Sequence, residues 1–520
     1  MKLTPLRKLR IYISLVSFLT ITFLFLDFRN LIPETIDKYL LYLQFVPSLL
    51  KFINIYSISA AGFIFIIALT FLYGRVYCST VCPLGILQDF ISRFSKKLNK
   101  KKYFRLLKDY KILKYSILLL AVISFVSSSL IAVNFLDPYS NFGRILTDLF
   151  NPLILLINNF IAFTFEKFNL YFLYPIEIKQ FSFFAAGFSF FVLMLIGIMS
   201  YTKGRLFCNT VCPVGTLLGL VSKFSFYKIA IDEEKCNSCN LCTRSCKSGC
   251  IDKKNKTVDF SRCVACYNCI SVCPSGGITY IKSYSSKKKI EVEETDYKKR
   301  EVLSKTFFYV LGLAGFTSAQ VKIIPKKENK TPVIKKYTVT PPGSKSLDNF
   351  TSSCTACHLC VSSCPTQVLQ PSFLEYGFLG MLQPYMDYKT SFCNFDCMIC
   401  SEVCPSGAIL PILKEEKKTL QLGKANFIKE NCIVEIEKTE CGACSEHCPT
   451  KAVQMVPYNN LHLPEVKNEY CVGCGACEYA CPTKPYKAIY VEGNPVHLTA
   501  QIRPEEKLKE KVDYKEEFPF

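Results

Sequence analysis

Two features of this sequence predict an α-helical membrane domain followed by small α+β domains built around metal clusters. Long apolar stretches crowd the first two hundred residues, and of 29 cysteines all but four follow position 230. At 520 residues the chain has room for two or three domains. A disulfide scaffold is excluded, because such scaffolds are short and secreted, and these cysteines sit too close together in sequence to pair with one another.

Four stretches have the length and apolarity of transmembrane helices: 11–27, 57–73, 113–133 and 181–200. A fifth run, 149–165, contains Asn151, Pro152, Asn158 and Asn159. Charge decides how to count it. The segment 74–112 carries Arg75, Arg93, Lys96, Lys97, Lys100, Lys101, Lys102, Arg105, Lys108 and Lys111 against Asp89 and Asp109, whereas 134–180 is nearly balanced. With four spans the amino terminus, the basic loop and the segment just after 200 all face the cytoplasm, as the positive-inside rule requires. The run 149–165 is then an interfacial or re-entrant segment on the outer face. The same rule accounts for much of the net charge of +21, so nucleic acid is not an expected partner. The only histidines are His358, His447, His462 and His497, none in a span, which excludes a bis-histidine haem in the membrane.

The segment GRVYCSTVCPLG (Gly74 to Gly85) recurs as GRLFCNTVCPVG (Gly204 to Gly215), each copy following an apolar hairpin. Two spans plus one motif have been duplicated. The copies place Cys78, Cys82, Cys208 and Cys212 on one membrane face. Four thiolates there could hold a further cluster or another metal; the alternative is a structural turn with buried, inert thiols.

After position 230 the spacing becomes specific. Cys236, Cys239, Cys242 and Cys246, then Cys263, Cys266, Cys269 and Cys273 before Pro274, have the C-x2-C-x2-C-x3-C spacing of bacterial ferredoxin-like 4Fe-4S domains. Three cysteines of a tight loop reach three irons of one cubane, and the fourth points to its neighbour. One cluster is therefore assigned to Cys236, Cys239, Cys242 and Cys273, a second to Cys263, Cys266, Cys269 and Cys246. Lys247 stands where a proline usually follows, and Cys250 reads as a bystander. Four more groups follow: Cys354, Cys357, Cys360, Cys364; Cys393, Cys397, Cys400, Cys404; Cys432, Cys441, Cys444, Cys448; and Cys471, Cys474, Cys477, Cys481. Each ends on a Cys-Pro, and their pairing is open. Six groups predict about six 4Fe-4S clusters. Zinc sites use separated CxxC pairs instead. The C-x-x-C-H string Cys354 to His358 matches c-type haem attachment, but taking it for haem would strand Cys360 and Cys364. No haem or flavin is expected, and there is no nucleotide motif or catalytic constellation.

These boundaries divide the chain into a membrane domain (1–225), a two-cluster domain (226–285), a linker (286–345), a four-cluster domain (346–500) and a charged tail (501–520). Within the linker, KKREVL (Lys298 to Leu303) and the apolar run Thr306 to Ala319 read as a weakened twin-arginine export signal.

Taken together, the spans, the two GRxxCxxxCP motifs and the ferredoxin unit through Cys273 resemble NapH, a membrane quinol dehydrogenase ferredoxin, and its relatives MauN and NosR. The chain from about 297 onward resembles the NapG/MauM type of exported four-cluster ferredoxin, most specifically in Cys432-x8-Cys441-x2-Cys444-x3-Cys448. The resemblance implies a NapH-NapG fusion in the cytoplasmic (inner) membrane, with the first ferredoxin domain in the cytoplasm and the last in the periplasm. It implies that electrons pass from the membrane quinone pool to a soluble reductase or cytochrome. Two alternatives remain: supply of electrons for maturing or reactivating a periplasmic metalloenzyme, as in NosR-like proteins, and a purely cytoplasmic ferredoxin relay. With no histidine near the spans, Asp137 and Glu166 are the carboxylates left to accept quinol protons.

Overall fold

Glycines with positive φ end the two helices that lead into the repeated motif. Gly74 (φ 78°) closes the helix Gly62–Tyr73 and Gly204 (φ 68°) closes Phe183–Lys203, each donating its N–H to the carbonyl four residues back, Thr70 and Ser200. A side chain in that conformation would cost about 1 kcal/mol or more. Pro83 and Pro213 then open the next helices, Pro83–Leu98 and Pro213–Ser222, at the position where a missing N–H is harmless. The computed structural model describes residues 5–27, 29, 39–55, 61–98, 110–252, 254–282 and 331–503. The export-like segment 298–319, most of the linker and most of the tail lie outside them.

Among the described residues three helices are long and apolar enough to cross a membrane: Pro5–Leu26, Pro138–Glu166 and Phe183–Lys203. The first and last match the expected spans 11–27 and 181–200. Of 57–73, the described helix is Gly62–Tyr73, 12 residues long. Of 113–133, it is Lys111–Val126, 16 residues, which ends where Ser128 takes φ 57° and a short helix Ile131–Leu136 begins. The run 149–165 belongs to the longest apolar helix among the described residues, 29 residues, whose first half hides from a hydropathy count behind Arg144 and Asp148. Pro152 does not break it because a π-helical turn, Ile145–Phe150, adjusts the backbone just before. Asn158 and Asn159 are satisfied by the returning chain: Asn158 Nδ2 donates to the Tyr174 carbonyl at 3.0 Å and Asn159 Nδ2 to that of Ile176 at 2.8 Å. Asn158 Oδ1 also accepts from Arg29, just past the first helix, at 3.2 Å.

The cluster domains sit at opposite ends of this bundle. At one end Arg7, near the start of the first helix, donates to Ser271 at 2.8 Å, and Lys96 to the Arg244 carbonyl at 3.2 Å. At the other end Asn54 bonds the Ser406 carbonyl at 3.0 Å and Ser353 at 3.2 Å, while the Gln367 amide donates to the Glu177 carbonyl at 2.7 Å. The first helix runs between them: Arg10 pairs with Asp89 at 2.5 Å, and Phe25 packs on Tyr139 with ring centroids 5.5 Å apart, beside the Cys357 backbone.

The first cluster domain is closed by an antiparallel pair, Tyr227–Ile231 with Ile278–Lys282, in which Ile229 faces Tyr280. The second is framed by Leu420–Phe427 paired with Ile489–Thr499 and by the hairpin Val453–Tyr458 with Leu461–Val466. Short helices and turns carry the cysteines. One buried core joins the membrane part to the four-cluster domain, running from Cys78, Cys82 and Cys212 through Tyr77, Phe25 and Tyr139 to Cys354, Cys357 and Cys360, while the two-cluster domain has its own around Ile229, Ile251 and Ile278.

Candidate iron-sulfur centres and the thiols between them

A loop of seven residues can aim three sulfurs at one point only if its backbone turns sharply twice. In all four regular groups the residues on either side of the second cysteine have positive φ: Ser238 and Asn240, Ala265 and Tyr267, Ala356 and His358, Gly473 and Gly475. Alternating hand in this way also turns successive N–H groups inward, a concavity suited to anions. The two irregular groups, with x3 or x8 spacings, do without this device.

The thiols gather as a ferredoxin exchange requires. Cys236, Cys239, Cys242 and Cys273 line one cavity; Cys263, Cys266, Cys269 and Cys246 line another; Cys432, Cys441, Cys444 and Cys481 line a third. The remaining partners follow from which thiol charges act on which. Cys448 bears on Cys471, Cys474 and Cys477; Cys404 on Cys354, Cys357 and Cys360; Cys364 on Cys393, Cys397 and Cys400. So the pairing left open by the sequence is an exchange of fourth cysteines within each consecutive pair of groups. Among the described residues no three His, Cys, Asp or Glu converge tightly enough for a single metal ion. A zinc ion, with sulfurs ~2.3 Å away, needs that convergence, whereas a cubane needs a wider ring of thiols. Burial pushes Cys357, Cys444 and Cys474 up to about 12 and Cys393 up to about 11, so an adjacent cation is what would keep these sulfurs ionised.

Cys250, read from the sequence as a bystander, lies among the ligand thiols. It lines the second cavity with the four ligand cysteines, and its sulfur lies 3.6 Å from that of Cys246. Lys247, standing where a proline was expected, explains itself too: its ammonium reaches Asp89 at 2.8 Å and ties the domain to the bundle.

Between the two cluster domains lie the four thiols of the repeat, each 3 or 4 % exposed. Each motif's arginine crosses to the other motif. Arg75 Nη2 donates to the Cys208 carbonyl at 3.1 Å, while Arg205 donates to the Cys78 carbonyl and, at 2.8 Å, to Asp89. Gln88 Nε2 lies 3.3 Å from the Cys208 sulfur. Arg75 Nε, Arg205 Nη2 and Asn209 Nδ2 are buried donors with no hydrogen-bond partner. Four thiols from two motifs, ringed by orphaned donors and cationic groups, would suit an anionic cluster. Arg75 also donates to the carbonyl of Ser261 at 2.9 Å, two residues before Cys263, which links this site to the second cavity.

The sequence reading placed no histidine near the spans, and the structure corrects it. His358 is buried against the long membrane helix, with Nδ1 2.8 Å from Asp148 Oδ1 and Nε2 2.8 Å from the Leu382 carbonyl. Both nitrogens are engaged with protein partners. The one sequence signal was its position after Cys357. Asp137, by contrast, caps the helix Pro138–Arg144, accepting from the Ser140 N–H at 2.8 Å.

Family models agree with this layout. A 4Fe-4S binding domain matches residues 58–101 and again 184–229, the two halves that carry the repeat. Dicluster 4Fe-4S domains match 353–409 and 439–484, and a further 4Fe-4S binding domain matches 256–279. An uncharacterized protein of Methanocaldococcus jannaschii is 29% identical over 186 residues, 35% of this chain and 54% of its own length. The ferredoxin-type protein MauM of Methylobacillus flagellatus is 30% identical over 26% of this chain and 59% of its own. NapG of Escherichia coli, also a ferredoxin-type protein, is 31% identical over 26% of this chain and 61% of its own. The chain thus spans little more than half the length of these relatives. No solved structure matches. The chain carries several 4Fe-4S binding domains. More narrowly, it is similar to the MauM, NapF and NapG ferredoxin-type proteins, and its many cysteines and domains fit multiple 4Fe-4S clusters.

Proposed function

We propose that this chain is a NapH-like membrane part joined to a NapG/MauM-like part, and that it takes electrons from membrane quinol and passes them to a soluble partner. Bound 4Fe-4S clusters supply one-electron steps, six in the ferredoxin groups and a seventh at Cys78, Cys82, Cys208 and Cys212. The observation that carries this reading is the seating of the Cys354 group directly on the helix bundle, where Gly143 lies against the Cys357 backbone. A lipid-soluble donor can reach that end without leaving the membrane.

From there the order of the thiols favours one route. The Cys354 and Cys393 groups share ligands, the Cys393 N–H donates to the Cys474 carbonyl at 2.9 Å, and the Cys471 and Cys432 groups share ligands again. Tyr388 bridges the middle step, its hydroxyl 2.6 Å from the Gly473 carbonyl. Opposite ends of one bundle for the two cluster domains favour opposite sides of an inner membrane.

A second reading rests on the repeat thiols, which lie between the two domains. They favour a path by which a cytoplasmic donor, reducing the exposed Cys239 end, feeds the outer clusters, as maturation of an external metalloenzyme would need. Proteoliposomes distinguish the two. Menadiol in the membrane is expected to bleach the cluster absorbance of the protein; clusters that stay oxidised with menadiol yet reduce with a low-potential soluble donor would select the second reading.

A further inference from the structure

We propose that quinol is oxidised in the cavity at the junction of the long membrane helix and the four-cluster domain, with Asn151 as the hydrogen-bond partner of its hydroxyl. The inference rests on the quinol reading above and adds its place and its chemistry. The cavity holds about 320 Å³, the size of small-ligand sites. Asn151, Leu155, Phe181, Ala185, Cys364 and Gln367 contribute to its wall, so membrane helices form one side and a cluster ligand the other. Phe150, Leu153 and Phe181 beside it are exposed on the bundle surface, which gives an apolar approach. An apolar chamber with a few convergent polar groups suits a ring carrying two hydroxyls.

Three observations point to a ligand. Asn151 is 7 % exposed, lines the cavity, and its Oδ1 has no hydrogen-bond partner. A quinol hydroxyl would satisfy it. Asp148, in the π-helical turn, also lines the cavity; such turns recur at functional sites. His358 stands behind Asp148 and next in sequence to Cys357.

The hydrogen bonds fix the protons. The Leu382 carbonyl can only accept, so His358 Nε2 carries hydrogen. Nδ1 then faces Asp148 Oδ1 at 2.8 Å, a contact that needs one proton between them, and Ser189 donates to Oδ2 at 2.7 Å. With Asp148 and His358 engaged in this way, Asn151 Oδ1 is the acceptor left unpartnered in the wall. Oxidation breaks two O–H bonds and releases two electrons and two protons; the protons pass to water, and the electrons would leave one at a time through the iron-sulfur centre that Cys364 would hold.

The test uses the full chain in proteoliposomes, with three measurements. An azidoquinone photolabel is expected to mark the peptides around 147–155 and 178–185 in the wild type; labelling elsewhere overturns the site. Asn151→Leu is expected to weaken quinone competition against the photolabel about tenfold, one lost hydrogen bond. The same variant is expected to slow bleaching at low menadiol by a similar factor, with dithionite reducing the clusters as in the wild type. Wild-type competition in Asn151→Leu overturns the hydrogen bond. If menadiol fails to reduce the wild type, the quinol reading itself falls, while the labelling pattern still judges the cavity. If Asn151→Leu fails to assemble clusters, the wild-type labelling decides.

Discussion

Arg75 reaches across the internal repeat to the carbonyl oxygen of Cys208 at 3.1 Å, and Arg205 makes the matching contact to Cys78. Each half therefore holds the other half's first cysteine in place, so the site exists only when both are folded. Replacing Cys78 and Cys212 with serine is expected to lower iron by about four atoms per chain, the content of one cubane, while the ferredoxin groups stay loaded. Iron and acid-labile sulfide analysis checks it. Unchanged iron would return the four thiols to a structural role.

Gly85 is one of two places where that arrangement leaves no room, its repeat partner Gly215 being the other. A Cβ there would sit 2.4 Å from the Cys78 carbonyl oxygen and 3.1 Å from Arg205. The neighbour is backbone, locked by the arginine, so it cannot yield cheaply. Gly85→Ala is expected to cost about 1–3 kcal/mol, as overpacking does, and to shed iron on thermal scanning before the wild type.

Cys250 is expected to tune the second ferredoxin centre. The two sulfurs share a hydrogen bond at 3.6 Å that lowers Cys246 below the ordinary thiol value, so it stabilises negative charge there. A reduced cluster carries one more electron, and a donor hydrogen bond favours it. Cys250→Ala should lower that centre's potential by roughly 30–60 mV, the equivalent of one hydrogen bond of ~1 kcal/mol, in a redox titration followed by EPR. Loss of iron instead would make Cys250 a ligand.

His497 gives the four-cluster domain a pH dependence. Burial holds its imidazole down at about 4, and Nε2 lies 2.8 Å from the Thr340 hydroxyl. The folded state favours neutral histidine, so this contribution is complete above the ordinary value of about 6.5 and fades as pH falls toward 4. It amounts to roughly 2–3 kcal/mol. His497→Gln is expected to flatten the loss of stability between those pH values relative to wild type in denaturant titrations.

Cysteine spacing made the cluster-binding groups legible, because three sulfurs around one cubane leave little freedom in the loop. The membrane part was less so. Hydropathy counts each residue alone, and Asp148 looks like a helix breaker until His358, 210 residues later, is placed against it. Asn158 and Asn159 misled in the same way, since their partners Tyr174 and Ile176 lie on a returning strand of chain. The repeat was visible as a pattern, but that its arginines cross between copies depends on how the halves face each other. Cys250 and Lys247 looked like departures from a motif because their partners, Cys246's cluster cavity and Asp89, belong to the assembled site.

The pairing of the last four groups makes an arithmetic prediction. Cys404 acts on Cys354, Cys357 and Cys360, and Cys364 acts on Cys393, Cys397 and Cys400, although each lies in the other group's sequence. Two ligand losses from one cubane destroy one cluster; two losses from different cubanes destroy two. Cys404→Ser combined with Cys357→Ser should therefore remove about four irons, and Cys404→Ser combined with Cys397→Ser about eight. Assignment by sequence group predicts the reverse, because it would put Cys404 with Cys397. Iron analysis of the two double variants, each purified without oxygen, separates the alternatives in one measurement, and the reverse order would unmake the exchange described here.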